Sequence, residues 1–291
     1  MKKRRIYADR ESAAIEKEAK WMKLELLEYV PKESSNLPPL LFVHGGFHGA
    51  WCWEKNFLPY FFSKGFSCYA LSLRGHGGSE GNEKLHSFSL NDYMEDVLDV
   101  MGRLKEKPVL IGHSMGGAVA QKIVHAYPDT LRMVILLASV PPQGMLKDFL
   151  RIYLTQRLGR LLFNRKTRLD LLLPLLFSNN LSIEEKNEFV KLLQPESRQA
   201  TSDIRKRIVP VPTHSSWVGR PQVPMLVLGS KRDGFFPEKT VKSIGKAYKT
   251  QPIIFPDICH DMMLDPQWRK MADSIYTFLR ETISAEESGR S

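Results

Sequence analysis

The chain has 291 residues, 43% of them apolar and 25% charged, and its 42 Lys and Arg against 32 Asp and Glu leave a formal charge of +10. That length suits one large domain or two small ones, and the composition excludes a disordered chain and a disulfide-stapled miniprotein. The positive charge is regional: residues 1–24 carry eight basic and four acidic side chains, residues 141–220 carry fourteen and seven, and the remainder is close to neutral. A basic balance confined in this way gives no support to an enzyme of nucleic acids.

In chain order, Met1-Lys2-Lys3-Arg4-Arg5 opens like a signal peptide, but Asp9, Glu11, Glu16 and Glu18 occupy the place of an apolar stretch; residues 1–20 read as a basic arm. Trp21 to Val30 reads as an edge strand. Leu40-Leu41-Phe42-Val43 is a continuous apolar run ending at Gly45-Gly46, as a buried parallel strand would, and Tyr69-Ala70-Leu71-Ser72-Leu73 repeats the form before Arg74-Gly75-His76-Gly77-Gly78. Residues 92–104 have helical spacing, 108–112 read as a strand, and Ala118, Val119, Ile123 and Val124 stripe a helix that closes before Pro128. Residues 133–138, 225–228 and 253–255 supply further strands, and 268–283 a closing helix. Strands alternating with helices predict an α/β fold with a mostly parallel, doubly wound central sheet.

Residues 141–220 break the rhythm. Leucines at helical spacing predict a helical cap inserted between two core segments, 21–140 and 221–285, above the edge of the sheet where α/β proteins bind ligands. Phe149, Leu150, Tyr153, Leu154, Leu158, Leu161, Leu162, Phe163, Leu172, Leu175 and Phe177 are the cap's candidates for an acyl pocket, although such leucines more often pack a cap onto its body. Cys52, Cys68 and Cys259 are odd in number and lack C-x-x-C spacing, so neither a disulfide framework nor a zinc site is predicted. No run approaches the roughly 18 apolar residues of a membrane span. A cytoplasmic protein without cofactor or metal is expected.

Gly112-His113-Ser114-Met115-Gly116 fits the G-x-S-x-G elbow and lies between a strand and a helix, the context that pattern needs. A serine hydroxyl requires a base, and the base an orienting carboxylate. Asp233 and His260 each follow a strand, on the same side of the sheet as Ser114, and the order Ser, Asp, His is the order expected for this elbow. Asp257 and Asp261 share the short loop of His260 and are poorly placed to reach its far nitrogen; His44 and His113 read as residues making local hydrogen bonds. Two N–H donors for an oxyanion are predicted from Met115, at a helix start, and from Gly46 in the loop His44-Gly45-Gly46-Phe47, with Phe47 the second choice. Phe47 and His113 are further expected to touch substrate.

These residues, with Val43-His44-Gly45-Gly46, Leu73-Arg74-Gly75-His76-Gly77 and Gly117, resemble the α/β-hydrolase fold superfamily in their order, over about residues 21–283. His48-Gly49-Ala50-Trp51-Cys52-Trp53 is also similar to the plant methylesterase and hydroxynitrile lyase branch. The resemblance implies a serine hydrolase, esterase-like or lipase-like, acting on a small-molecule ester; thioester, lactone and carbon–carbon hydrolysis and ligand sensing without turnover stay open on the same residues. The apolar and cationic cap and the basic arm raise peripheral contact with an anionic membrane as an expectation, and no nucleic-acid partner is expected.

Overall fold

The computed structural model describes residues 3–8, 22–33, 36–163, 173–209 and 223–289. An eight-stranded sheet runs through it: β1 (Lys3–Ala8), β2 (Leu24–Tyr29), β3 (Leu40–Val43), β4 (Cys68–Leu71), β5 (Val109–His113), β6 (Met133–Leu137), β7 (Met225–Ser230) and β8 (Ile253–Phe255), in the order β1-β2-β4-β3-β5-β6-β7-β8. The β1/β2 and β2/β4 pairings are antiparallel and all others parallel.

The central strands are continuous apolar runs because both of their faces are buried. Leu40 and Phe42 point into one core with Trp53, Phe57 and Phe61, while Leu41 and Val43 point into the other with Tyr93, Val119 and Ile123. The same two-residue alternation divides Val109 and Ile111 from Leu110, and Ile135 from Val134 and Leu136. Helices α1 (Trp51–Glu54), α2 (Phe57–Ser63) and α9 (Trp268–Glu287) cover the first face; α3 (Leu90–Arg103), α4 (Met115–Ala126) and α8 (Glu238–Tyr248) cover the second.

α3 starts where Ser89 and Asp92 form a reciprocal capping box. Arg74, in the loop after β4, donates through its Nε to Asp96 at 2.8 Å and through Nη1 to Asp92 at 3.1 Å, tying that loop to the helix. Burial lifts the Asp96 carboxyl to about 6 even though Arg74 pulls the other way.

Between β6 and β7 lie α5 (Leu146–Phe163), α6 (Ile183–Leu192) and α7 (Arg198–Arg205). α7 is fixed to the body: Ser197 Oγ donates to the Phe88 carbonyl at 2.5 Å, the Leu90 N–H donates to Asp203, and the Met145 N–H donates to the Ile204 carbonyl.

Two sequence expectations need revision. Lys3–Ala8, placed in the arm, is a strand paired with β2, so residues 24–29 are not an edge. A run of cations carries no apolar alternation, and the strand is defined by backbone pairing instead. In the cap, Leu150 and Leu154 are exposed rather than facing a pocket. Leu172 lies outside the described residues, and Leu158, Leu161, Leu162 and Phe163 outside the described side chains. Among the described residues no helix is long and apolar enough to cross a membrane.

Candidate active site

β5 runs directly into α4, and Ser114 sits at the junction with φ +50° and ψ −112°. A non-glycine residue held there is strained and persists only where its surroundings fix it. The Ser114 N–H donates to the Leu137 carbonyl at 3.0 Å, and its own carbonyl accepts from Ala118 and Val140. Glycine is required on both sides of the turn: a Cβ on Gly112 would lie 2.5 Å from the Gly116 carbonyl oxygen, and one on Gly116 2.5 Å from the carbonyl oxygens of Val43 and His44. Met115 follows as the first residue of α4, where N–H groups lack intrahelical acceptors and the helix dipole favours negative charge.

His260 and Asp233 come from the loops after β8 and β7. His260 Nδ1 donates to Asp233 Oδ1 at 2.9 Å, and both side chains are buried. Asp233 is itself oriented by the N–H groups of Phe235 at 2.7 Å and Phe236 at 2.9 Å. Its neighbour Gly234 makes the Asp-Gly pair look like an ordinary turn, but the carboxylate is turned inward. The His260 ring is packed between His113, with centroids 4.8 Å apart, and Phe235, at 4.6 Å. With Nδ1 occupied, Nε2 is left for the cavity that His260 and Ser114 line together.

The loop after β3 is fixed one peptide plane at a time. His44 Nδ1 donates to the Gly45 carbonyl at 2.8 Å and His44 Nε2 accepts from the Leu73 N–H at 3.0 Å. Burial, with His76 nearby, holds the His44 pKa well below the ordinary range, which fits this neutral form. Because a trans peptide points its N–H opposite to its C=O, holding the Gly45 carbonyl also sets the direction of the Gly46 N–H. In the next plane, His48 Nδ1 donates to the Gly46 carbonyl at 2.7 Å, and the Phe47 N–H donates to Glu196 Oε2 at 3.2 Å. The Phe47 N–H is thus occupied. Phe47 has φ +71°, and the Gln194 N–H donates to its carbonyl at 3.0 Å, so the segment 194–196 grips this residue on both sides.

Two buried ion-pairing carboxylates, Asp261 and Glu196, stand behind this loop. Asp261 pairs with His48 Nε2 at 3.0 Å, whereas Asp257 pairs with Arg232; neither receives a bond from His260. Burial opposes charge on His48, but Asp261 outweighs it and raises the pKa; Asp261, against the same burial, is lowered by His48. Glu196 accepts from four donors: Phe47 N, His76 Nε2, Tyr93 Oη and Ser197 N. Sequence reading overlooked Glu196, which sits in Gln194-Pro195-Glu196-Ser197 without a motif, and its partners lie 103 to 149 residues away, apart from Ser197.

The cavity beside Ser114 has a volume of about 160 Å³, well above what a buried water needs. Gly46, Phe47, His113, Met115 and His260 line it near Ser114, and Phe149, Ile152, Leu176, Ile204, Phe235 and Phe236 give it an apolar wall. Phe149 and Tyr153 are the expected cap residues that reach it; Phe177 packs in the core instead. His113 Nε2 donates to the His260 carbonyl at 3.0 Å, a bond across 147 residues and not a local one. Burial and the neighbouring His260 push the His113 pKa down to about 3, so the ring is neutral. His113, His260 and Asp261 bring possible metal-ligating atoms within 4.8 Å of one another. His113 Nε2 and His260 Nδ1 are already used, and a cation there would take the His260 nitrogen that faces the cavity.

The sequence model of the alpha/beta hydrolase family matches residues 40–272. Norfluorocurarine synthase 1 of Strychnos nux-vomica is 34% identical over 106 residues, which cover 35% of this chain and 39% of that protein. Polyneuridine aldehyde esterase of Rauvolfia serpentina is 33% identical over 103 residues, 34% of this chain and 38% of that protein. The chain therefore matches about two fifths of the length of these relatives. An esterase from Exiguobacterium antarcticum superposes with a TM-score of 0.70 at 16% identity, covering 90% of this chain and 97% of that one; at such identity it shows the fold alone.

Proposed function

The chain belongs to the alpha/beta hydrolase family, and on that premise we propose that it is a serine hydrolase cleaving a carboxylic ester with an apolar acyl part. The observation that carries the reading is the His260–Asp233 hydrogen bond, which leaves His260 Nε2 for the cavity shared with the strained Ser114. Ester cleavage is favoured over other carbonyl chemistry by the apolar wall and by the esterase names among the similar plant proteins.

In this reading Ser114 Oγ attacks the ester carbonyl while its proton passes to His260 Nε2. Asp233, fixed by two backbone N–H groups, orients the ring and stabilises the imidazolium. The negative charge that forms on the carbonyl oxygen is taken by the N–H groups of Met115 and Gly46. Gly46 is preferred to Phe47 because the Phe47 N–H already serves Glu196. Collapse breaks the carbon–oxygen bond, the departing alcohol takes the proton from His260, and an acyl group remains on Ser114. Water then enters and attacks the acyl carbon while giving a proton to His260; the bond to Ser114 Oγ breaks, His260 returns the proton to that oxygen, and the acid is released. Phe47 and His113 form part of the surface against the substrate.

The test is hydrolysis of a series of neutral 4-nitrophenyl esters of increasing acyl length. Wild type is expected to turn them over with a preference for acyl groups that reach the apolar wall, and Ser114→Ala to reduce kcat by roughly 10⁶-fold, to the level left by binding alone. Turnover that survived this substitution would remove Ser114 from the nucleophile's role.

A further inference from the structure

The cavity is apolar along one wall, yet it holds one cation that the proposed chemistry does not use. Arg205 is the last residue of α7 and lines the cavity with Ile204, the residue before it, and Thr201, one turn back on the same helix. Its guanidinium lies over the ring of Phe149, 3.9 Å from the centroid, and its Nε is buried without a hydrogen-bond partner. Among the described residues no carboxylate pairs with Arg205. The nearest acid on its own helix, Asp203, is occupied elsewhere, accepting from Leu90 N and Gln199. Of the two acids that line the cavity, Glu196 is satisfied by four donors at the opposite end of α7, and Asp261 is paired with His48.

The position of Arg205 is built into the fold. Met145 N–H donates to the Ile204 carbonyl and Ile208 N–H to the Pro142 carbonyl, so the end of α7 is held from both sides. Gly144, at φ +80°, lets the loop pass so close that a Cβ there would meet the Lys206 carbonyl oxygen. The following Lys206 and Arg207 are exposed, which places Arg205 where the cavity wall returns to the surface. The Arg205 side chain is half-buried and its Nε has no acceptor, and a carboxylate supplies two oxygens that match the plane of a guanidinium. From Ser197, beside the oxyanion loop, to Arg205 the helix advances about 12 Å at its ordinary rise.

We propose that Arg205 is a carboxylate-binding subsite, and that the substrate is an ester carrying a carboxylate on the order of 10 Å from the scissile carbonyl, separated from it by an apolar chain. This rests on the hydrolase reading for its orientation, with the ester at Ser114 and the anion at Arg205. The Phe149 ring lies under the guanidinium, and lysine is a poor replacement there: it keeps the charge and loses the fork.

The experiment compares 4-nitrophenyl hydrogen suberate with 4-nitrophenyl octanoate, and an ω-acetoxyalkanoate with its methyl ester, so that the anion is presented on the acyl side or the alcohol side. Wild type is expected to favour the charged member of at least one pair by roughly ten- to a hundredfold in kcat/KM. Arg205→Gln should erase that ratio, Arg205→Lys should restore only part of it, and Arg207→Gln, at the exposed neighbour, should leave it as in wild type. Suberate binding by calorimetry to Ser114→Ala, with and without Arg205→Gln, reads the subsite independently of turnover; the second substitution should weaken it by a similar factor. Equal treatment of charged and neutral members by wild type, or suberate binding indifferent to Arg205, overturns the proposal. Loss of the hydrolase reading is seen separately, as failure of a fluorophosphonate to label Ser114.

Discussion

Asp233 and Glu196 are both buried carboxylates in loops, but only one of them was legible in the sequence. Asp233 follows a recognisable strand in the order that the elbow demands, whereas Glu196 gains its meaning from Phe47, His76 and Tyr93, which the fold alone brings to it. Their substitutions should also differ in kind. Asp233→Asn removes the partner that selects the His260 tautomer, and kcat for a neutral ester is expected to fall roughly 10⁴-fold with the fold intact. Glu196→Ala frees the Phe47 N–H and the strained Phe47 backbone while leaving the His260–Asp233 bond in place. A fall in kcat of roughly ten- to a hundredfold is expected, smaller than the roughly 10²–10³ for outright loss of an oxyanion donor, with KM for the same ester changing much less. An effect confined to KM would show that Glu196 touches substrate and does not position the loop. His44 and His48 belong to the same level: each was readable as a histidine near a glycine pair, but not as the group that holds a particular carbonyl.

At the level of elements, β3, β5, β6 and β7 were visible because strands buried on both faces must be apolar throughout, and each ends at the expected loop. β1 was hidden by its cations, and α1 and α2 by an aromatic-rich stretch, residues 51–63, with no clean helical stripe. The elbow offers a contest of magnitudes. Gly116 lies in helix α4, where alanine would ordinarily gain about 1 kcal/mol of helix propensity. Its Cβ, however, would lie 2.5 Å from two backbone carbonyl oxygens of β3 and its loop, which cannot move without shifting the Gly45–Gly46 segment. Gly116→Ala is therefore expected to lose about 1–3 kcal/mol net in urea unfolding, and activity with it. A stabilised variant would mean that the helix and β3 are less tightly apposed than described. The cap was legible as a helical interruption, but which of its residues face the cavity was not, since Phe149, Ile152 and Ile204 are distinguished from exposed Leu150 and Leu154 only by the way the helices sit.

For the molecule as a whole, the histidines set part of the response to acid. His113 is held neutral down to about 3 and His44 is lowered in the same direction, while in the unfolded chain both take up a proton near 6.5. Their contribution to stability is present above about 6.5 and is lost as pH falls below it. Asp96, raised to about 6, runs the opposite way between its unfolded value and 6, so the effect is best isolated by difference. Urea midpoints measured from pH 7.5 to 5 should fall more steeply for wild type than for His113→Gln; equal slopes would show that His113 does not carry this linkage. The regional charge has also changed meaning. Part of the basic N-terminus is a strand of the sheet, and one cation of the cap, Arg205, lines the cavity. The central claim is that all of this framework serves one activated hydroxyl. Intact-mass analysis after exposure to a fluorophosphonate tests it most directly: a single adduct is expected on the wild-type protein, mapping to the peptide that holds Ser114 and absent from Ser114→Ala, whereas no adduct, or one that persists in the variant, would contradict it.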